Sequence, residues 1–269
     1  GLQQYYTPSQ VSIFIARCIG AHNRVADLTG AGNGSLLQGF SEVGRFGVEL
    51  DADQIRGAAK VKTPYTAVKA DIQHLYPLLV RLAFQSPVTV SNPPFGLNWD
   101  VASIGKGSST ELAFKMTLRL TSSDGVGVFI CGKDRFYREV YTDEHRPLFY
   151  ALVEIEKMFS GVKLPCIIAF WRQAAPRRRR GANTLHLQLA DVEGLTRAVE
   201  LQVQDASDRC FPGSYTPAGA GDMAEKLAAA KAGQWARVGG DAIEVGITLP
   251  WSQMWADQSF WSGQAMRRL

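Results

Sequence analysis

Val88-Thr89-Val90-Ser91-Asn92-Pro93-Pro94-Phe95-Gly96 joins an apolar run to a turn that offers acceptors and almost no donors. The β-branched residues read as a strand. The two prolines hold φ near about −65° and push Asn92 into an extended conformation. They also remove two backbone N–H groups. The Asn92 side-chain oxygen and a neighbouring carbonyl can then converge on one point, which suits a planar amine with two hydrogens to give away. Asn-Pro-Pro is also an ordinary turn, and by itself the tetrapeptide does not decide between the two.

Outward from this turn, strand and helix patterns alternate. Ser9–Gly20 reads as a helix capped by Ser9 and closed by Gly20. Val25–Leu28 is a short strand running into Gly30-Ala31-Gly32-Asn33-Gly34, with a helical segment expected from there to about Phe40. Phe46–Leu50 and Ala67–Ala70 read as the second and third strands, with a helix over Ala52–Val61 between them. Glu111–Leu120 is an amphipathic helix and Gly125–Ile130 a buried fifth strand. Leu152–Phe159 and Val162–Trp171 flank Ser160-Gly161 and read as a hairpin. This alternation argues for an α/β fold: a Rossmann-like sheet, mostly parallel, with a C-terminal antiparallel hairpin at one edge. The pattern breaks at Pro176-Arg177-Arg178-Arg179-Arg180-Gly181. We therefore expect one domain over 1–175 and a small α+β appended region over 176–269, in which Leu185, Leu187 and Leu189 alternate as in a strand.

Composition narrows the function classes. A chain of 269 residues with 46% hydrophobic and 20% charged residues has the makeup of an ordinary globular protein, and a net charge of +4 permits a polyanionic partner without requiring one. Cys18, Cys131, Cys166 and Cys210 have no paired spacing, and neither do the four histidines, so no metal site or disulfide framework is expected. No apolar run approaches the ~18 residues of a membrane span. A cytoplasmic protein is the expectation, and a start at Gly1 leaves a longer parent polypeptide open.

In an open α/β sheet, ligands bind beyond the carboxyl ends of the strands. Four such ends carry suggestive residues in order. The glycine loop after the first strand can bring backbone N–H groups close to a ligand, or can simply make a tight turn. Glu49, after the second strand, can accept both hydroxyl hydrogens of a ribose, whereas Asp51 fits a helix cap. Asp71, after the third, can accept from an adenine amino group or cap the next helix. The fourth end is the Asn-Pro-Pro turn.

This ordered set resembles the class I S-adenosylmethionine-dependent methyltransferases, in particular the DNA adenine-N6 methyltransferases of the gamma order, over about residues 3–173. In that family a Tyr-Thr-Pro segment ahead of the first strand touches the methionine part of the cofactor; the matching residues are Tyr6, Thr7 and Pro8. Asp27, Gly30, Ala31 and Gly32 match the loop after the first strand. Glu49 and Asp71 match the acids that bind ribose and adenine, with Leu50 and Ile72 on the adenine faces. Asn92-Pro93-Pro94-Phe95 matches the catalytic motif, and Phe159 matches an aromatic that stacks on the extruded base. One departure is visible. The family places glycines at the fourth and sixth positions after the first-strand acid, whereas Gly30, Gly32 and Gly34 stand at the third, fifth and seventh, so this loop is one residue shorter.

The resemblance implies S-adenosylmethionine as cofactor, DNA as partner, and restriction-modification as context, with no metal and no membrane. It implies methyl transfer to a flipped-out adenine, with Phe95 and Phe159 stacking on the base and Asn92 and Pro93 accepting the amine hydrogens. Arg177, Arg178, Arg179 and Arg180 are candidates for the DNA backbone, and equally for a solvated loop. An RNA adenine methyltransferase and a protein glutamine-N5 methyltransferase use related chemistry. A non-catalytic cofactor- or DNA-binding module of a larger defence or anti-restriction protein is the remaining alternative.

Overall fold

The computed structural model describes residues 6–19, 24–40, 44–60, 65–161, 163–173 and 185–195. Arg177–Arg180, Cys210 and the tryptophans of the tail lie outside the described residues. In chain order the elements are α1 (Ser9–Ile19), β1 (Arg24–Asp27), β2 (Gly44–Glu49), α2 (Ala52–Lys60), β3 (Thr66–Lys69), α3 (Ile72–Arg81), β4 (Ser86–Ser91), β5 (Asn98–Val101) and β6 (Gly105–Ser108). They continue with α4 (Ser109–Leu120), β7 (Thr121–Gly132), β8 (Phe149–Lys157), β9 (Cys166–Arg172) and β10 (Leu185–Asp191). A helical turn at Lys133–Arg135 runs on into a π-helical segment, Phe136–Val140.

Eight strands form one sheet in the order β10-β8-β9-β7-β4-β1-β2-β3. All neighbouring pairs are parallel except those made by β9, which runs antiparallel to both β7 and β8. The expected mostly parallel sheet and its antiparallel hairpin are therefore both present. The hairpin is not the outermost feature, because β10 pairs in parallel outside β8. Leu187 and Leu189, two residues apart, turn to the same core face and bury there. The boundary expected at 175 thus falls before the last strand of this sheet.

Period-two burial on the strands makes two cores, one on each face. Val88 and Val90 of β4, with Val126, Val128 and Ile130 of β7, pack under α1, whose Val11, Phe14, Ile15 and Cys18 follow the helical repeat. Phe129 and Trp171 face the other way, against Phe114 and Met116 of α4 and Leu75 and Leu79 of α3.

The helix expected from the glycine loop to Phe40 does not form. Residues 31–40 make successive tight turns, with Gly34 N–H to Ala31 O (2.8 Å) and Phe40 N–H to Leu37 O (3.1 Å). Ser12 of α1 is the reason. Its hydroxyl donates to Leu36 O (2.9 Å), the acceptor that a helical Phe40 N–H would use, and it accepts from Gly39 N–H (2.7 Å). A Cβ on Gly39 would lie 2.3 Å from the Ser12 carbonyl oxygen, so only glycine permits this approach. Helix α3 and the separate β5–β6 hairpin add to the expected elements.

At the centre of the sheet, Gly127 lies opposite Trp171, and an added Cβ would stand 2.2 Å from the indole ring. Trp171 is fully buried and edge-on to Phe114 at 5.8 Å, so it has nowhere to yield. Gly127→Ala should therefore lower the unfolding free energy by about 1–3 kcal/mol, read as a reduced urea midpoint with unchanged slope.

Candidate active site

Strand order reverses between β1 and β4: β2 and β3 are added on one side of β1, after which the chain returns to its other side. The carboxyl ends of β1, β2 and β4 therefore meet around one crevice, the usual place for a ligand in such sheets. Asp27 and the glycine loop, Glu49 and Asn92 stand at these three strand ends.

The glycine loop leaves β1 at Asp27. Gly30, Gly32 and Gly34 all have positive φ (128°, 55° and 79°), which explains why alternate positions are glycine. Ala31 N–H bonds back to Val48 O of β2 (3.0 Å), holding the loop against that strand. A Cβ on Gly30 would meet nothing within 4 Å, so the loop faces open space, while at Gly32 it would come within 3.6 Å of the Tyr6 ring. Tyr6 thus lies along the loop, and its hydroxyl donates to Gln54 Oε1 of α2 (2.8 Å).

Glu49, buried at the end of β2, receives the loop. Gly32 N–H donates to its Oε2 (2.6 Å) and Asp51 N–H to its Oε1 (2.8 Å). Each carboxylate oxygen is oriented by one amide and keeps a second lone pair. Tyr65 donates to Gly32 O (2.7 Å), so a Glu49–Gly32–Tyr65 chain holds the loop from both its N–H and its C=O. Burial, with Glu49 and Asp27 nearby, pushes the Tyr65 phenol well up, so it remains a donor. Beside Glu49, Leu50 is 55% exposed, an apolar side chain standing free at the mouth of a polar site. Ile72, the first residue of α3, is buried in the core.

Asp71 caps α3, accepting from Gln73 N–H (2.9 Å), and the Gln73 side-chain amide reaches both its oxygens (3.3 and 3.2 Å). The helix-capping alternative weighed from the sequence is thus realised. Gln73 Oε1 also accepts from Asp100 N–H (3.0 Å), which ties this cap to the β5–β6 hairpin.

The Asn-Pro-Pro turn follows β4. Asn92 Nδ2 donates to Thr7 Oγ1 (3.2 Å) across 85 residues of sequence. In this orientation Nδ2 faces Thr7 and Oδ1 is the other amide atom. Pro8 stands just before α1, its carbonyl accepting from Val11 and Ser12 N–H. Phe95 is half-buried, and its ring meets that of Phe159 edge-on, with centroids 6.1 Å apart and planes at 62°. Phe159 is only 6% exposed, so it backs Phe95 and does not face it across a gap.

Two residues absent from the sequence-level set join the halves of the site. Thr29, in the glycine loop, and Ser91, at the end of β4, share a hydroxyl–hydroxyl bond of 2.5 Å across the switch point, both buried. Neither has a sequence signal, because each is an ordinary hydroxyl next to a motif. Asp27 lies beside them, 1% exposed, and burial pushes its carboxyl up to about 7; the nearby Glu49 charge adds to this and the Thr29 amide opposes it. Among the described residues no group of three metal-ligating side chains occurs, and no helix is long and apolar enough to cross a membrane.

No protein-family model and no curated protein sequence matches this chain. Solved structures resemble it in fold. A protein of Listeria monocytogenes described as a class I S-adenosylmethionine-dependent methyltransferase superposes with a TM-score of 0.54 at 16% identity, covering 74% of this chain and 71% of that one. The M protein of the type I restriction enzyme EcoKI gives 0.51 at 11% identity, over 64% and 44% of the two chains. The methyltransferase subunit of a type I restriction-modification system from Streptococcus thermophilus gives 0.50 at 14%, over 84% and 53%. This chain thus spans about half the length of those two subunits. Its fold is that of the class I S-adenosylmethionine-dependent methyltransferases.

The Asp27 carboxyl sets a pH test. Its pKa in the folded protein, about 7, lies above its ordinary 3.8. Between those values the folded chain holds a proton that the unfolded chain has lost, so stability falls as pH rises through that window. Asn mimics the protonated acid. Asp27→Asn should match the wild type in urea midpoint near pH 4 and exceed it at pH 8, with a flatter profile between.

Proposed function

We propose that this chain transfers a methyl group from S-adenosylmethionine to the N6 amine of adenine in DNA. The observation that carries the reading is the Thr7–Asn92 hydrogen bond, which joins the segment ahead of the first strand to the acceptor turn at the open side of the glycine loop. The cofactor fits the residues present. The free lone pairs of the Glu49 carboxylate suit the two ribose hydroxyls, the exposed Leu50 offers an apolar face to the adenine, and the open ground before Gly30 leaves room for the methionine end. When bound, S-adenosylmethionine supplies a methyl group activated by a sulfonium centre.

The chain's own residues prepare the acceptor. The N6 lone pair of adenine is delocalised into the ring and is a poor nucleophile. Asn92 Oδ1 and the Pro93 carbonyl accept the two amine hydrogens, draw the nitrogen toward tetrahedral geometry and aim its lone pair. Among the described residues the Pro93 carbonyl has no other donor. No strong base is needed, and a site closed to water favours a reaction that disperses positive charge. Holding the partners in line is worth ~7–11 kcal/mol of the barrier.

The target base must leave the duplex, at a cost of a few kcal/mol. Stacking on Phe95 returns roughly 1–3 kcal/mol, with Phe159 as the wall behind that ring. The likeness to restriction-modification methyltransferase subunits supports DNA as the substrate class. In this reading the catalytic unit includes β10, which pairs with β8 in the same sheet.

The test is transfer of labelled methyl to unmethylated DNA, followed by nucleoside analysis. Label is expected in N6-methyladenine, and Asn92→Ala should lower the rate by roughly 100-fold or more while the cofactor still binds. Label appearing on protein or RNA would refute the DNA assignment. Leu50→Ala should leave the unfolding midpoint nearly unchanged, since the side chain is exposed, yet weaken cofactor binding about 10-fold, in line with ~1.5 kcal/mol for covering a leucine; calorimetric titration measures it.

A further inference from the structure

We infer that Ser109 is the positioning residue of the acceptor turn: it holds both ends of the Pro94–Leu97 segment and thereby decides which of the two proline carbonyls is presented to the amine. The inference rests on the methyl-transfer reading above and names a residue that reading did not use.

Ser109 is fully buried at the start of α4. Its hydroxyl donates to Pro94 O (2.6 Å), and its backbone N–H donates to Leu97 O (2.8 Å). One residue thus clamps a four-residue loop at both ends, with Phe95 and Gly96 (φ 77°) at the bend between them. In an extended proline pair successive carbonyls point about 120° apart, as in a polyproline helix with three residues per turn. Fixing Pro94 O therefore fixes Pro93 O. The Pro94 oxygen is taken up by Ser109, whereas among the described residues no donor bonds the Pro93 oxygen.

The clamp is itself held firmly. Ser108 caps α4 by accepting from Glu111 N–H (3.1 Å), and it donates its own proton to Glu139 Oε2 (2.5 Å) in the π-helical segment after β7. Arg135 Nη1 lies 3.3 Å from the other Glu139 oxygen. Two consecutive serines therefore divide the work: Ser108 anchors the helix to the segment beyond β7, and Ser109 reaches back to the turn. π-Helical segments recur at functional sites in many proteins.

The test uses the full chain as wild type, Ser109→Ala, Ser109→Thr and Ser109→Cys. Hydrogen exchange read by mass spectrometry is the arm that needs no acceptor. Ser109→Ala should speed exchange over residues 95–98 and leave the glycine loop, 29–34, unchanged, with threonine restoring protection. Equal exchange in alanine variant and wild type over 95–98 would overturn the inference, whatever the protein methylates. The second arm follows methyl transfer on DNA. Ser109→Ala should lower kcat roughly 10- to 100-fold, with the KM for S-adenosylmethionine changed by no more than about twofold, and threonine should recover most of the rate. A raised cofactor KM at unchanged kcat, or no recovery with threonine, would overturn it. Cysteine, a weaker donor of similar size, should give the same split at smaller amplitude and stands in if alanine does not fold. A wild type that protects 95–98 but methylates no DNA would refute the proposed substrate while upholding the clamp.

Discussion

The parallel pairing of β1 with β4 is the constraint on which the site depends. Only two registered pairs join the strands, Ala26 with Thr89 and Asp27 with Val90, yet they bring two loops distant in sequence out of the sheet side by side. The glycine loop leaves from one strand and the acceptor turn from the other. The Thr29–Ser91 hydroxyl bond spans the gap between them, and Asn92 ties the turn to Thr7, ahead of α1. A slip of one residue would turn Ser91 and Thr89 toward α1 and put Val90 where the hydroxyls now bond.

The buried hydroxyls of β4 itself are paired. Thr121 gives its proton to Thr117 O (2.7 Å), so the 2.8 Å contact between the Thr89 and Thr121 hydroxyls must use the proton of Thr89. Ser86 bonds Val88 O (2.7 Å). Each hydroxyl costs stability if left unpaired, so the face of β4 toward α4 accepts only one geometry. Asp27 is buried beside Glu49, and burial suppresses its ionisation.

Much of the arrangement is legible in the sequence. Strands with period-two or fully apolar patterns, such as Val88–Ser91 and Gly125–Ile130, are found where expected, because burial on one or both faces leaves a local imprint. The segment after Gly34 is not helical, although its composition allows a helix, because Ser12 of α1 takes Leu36 O, the carbonyl that would bond a helical Phe40 N–H. A contact from twenty-four residues away leaves no local pattern. Ser109 shows the same limit in a site residue. The spacing of Ser108 and Glu111 marks a helix start, but nothing nearby announces that the next serine holds Pro94.

By itself, the sequence determined the main strands of the sheet, the donor-poor character of the Asn-Pro-Pro turn, and the acids at successive strand ends. These are properties of residue type and short-range spacing, and they act before any long-range contact forms. Only the tertiary structure decided which groups meet: Asn92 with Thr7, Thr29 with Ser91, Gly32 with Glu49, and Ser109 with both ends of the turn. The reason is that a hydroxyl or an amide has the same chemistry wherever it lies along the chain, and takes its role from the partner that strand order sets opposite it.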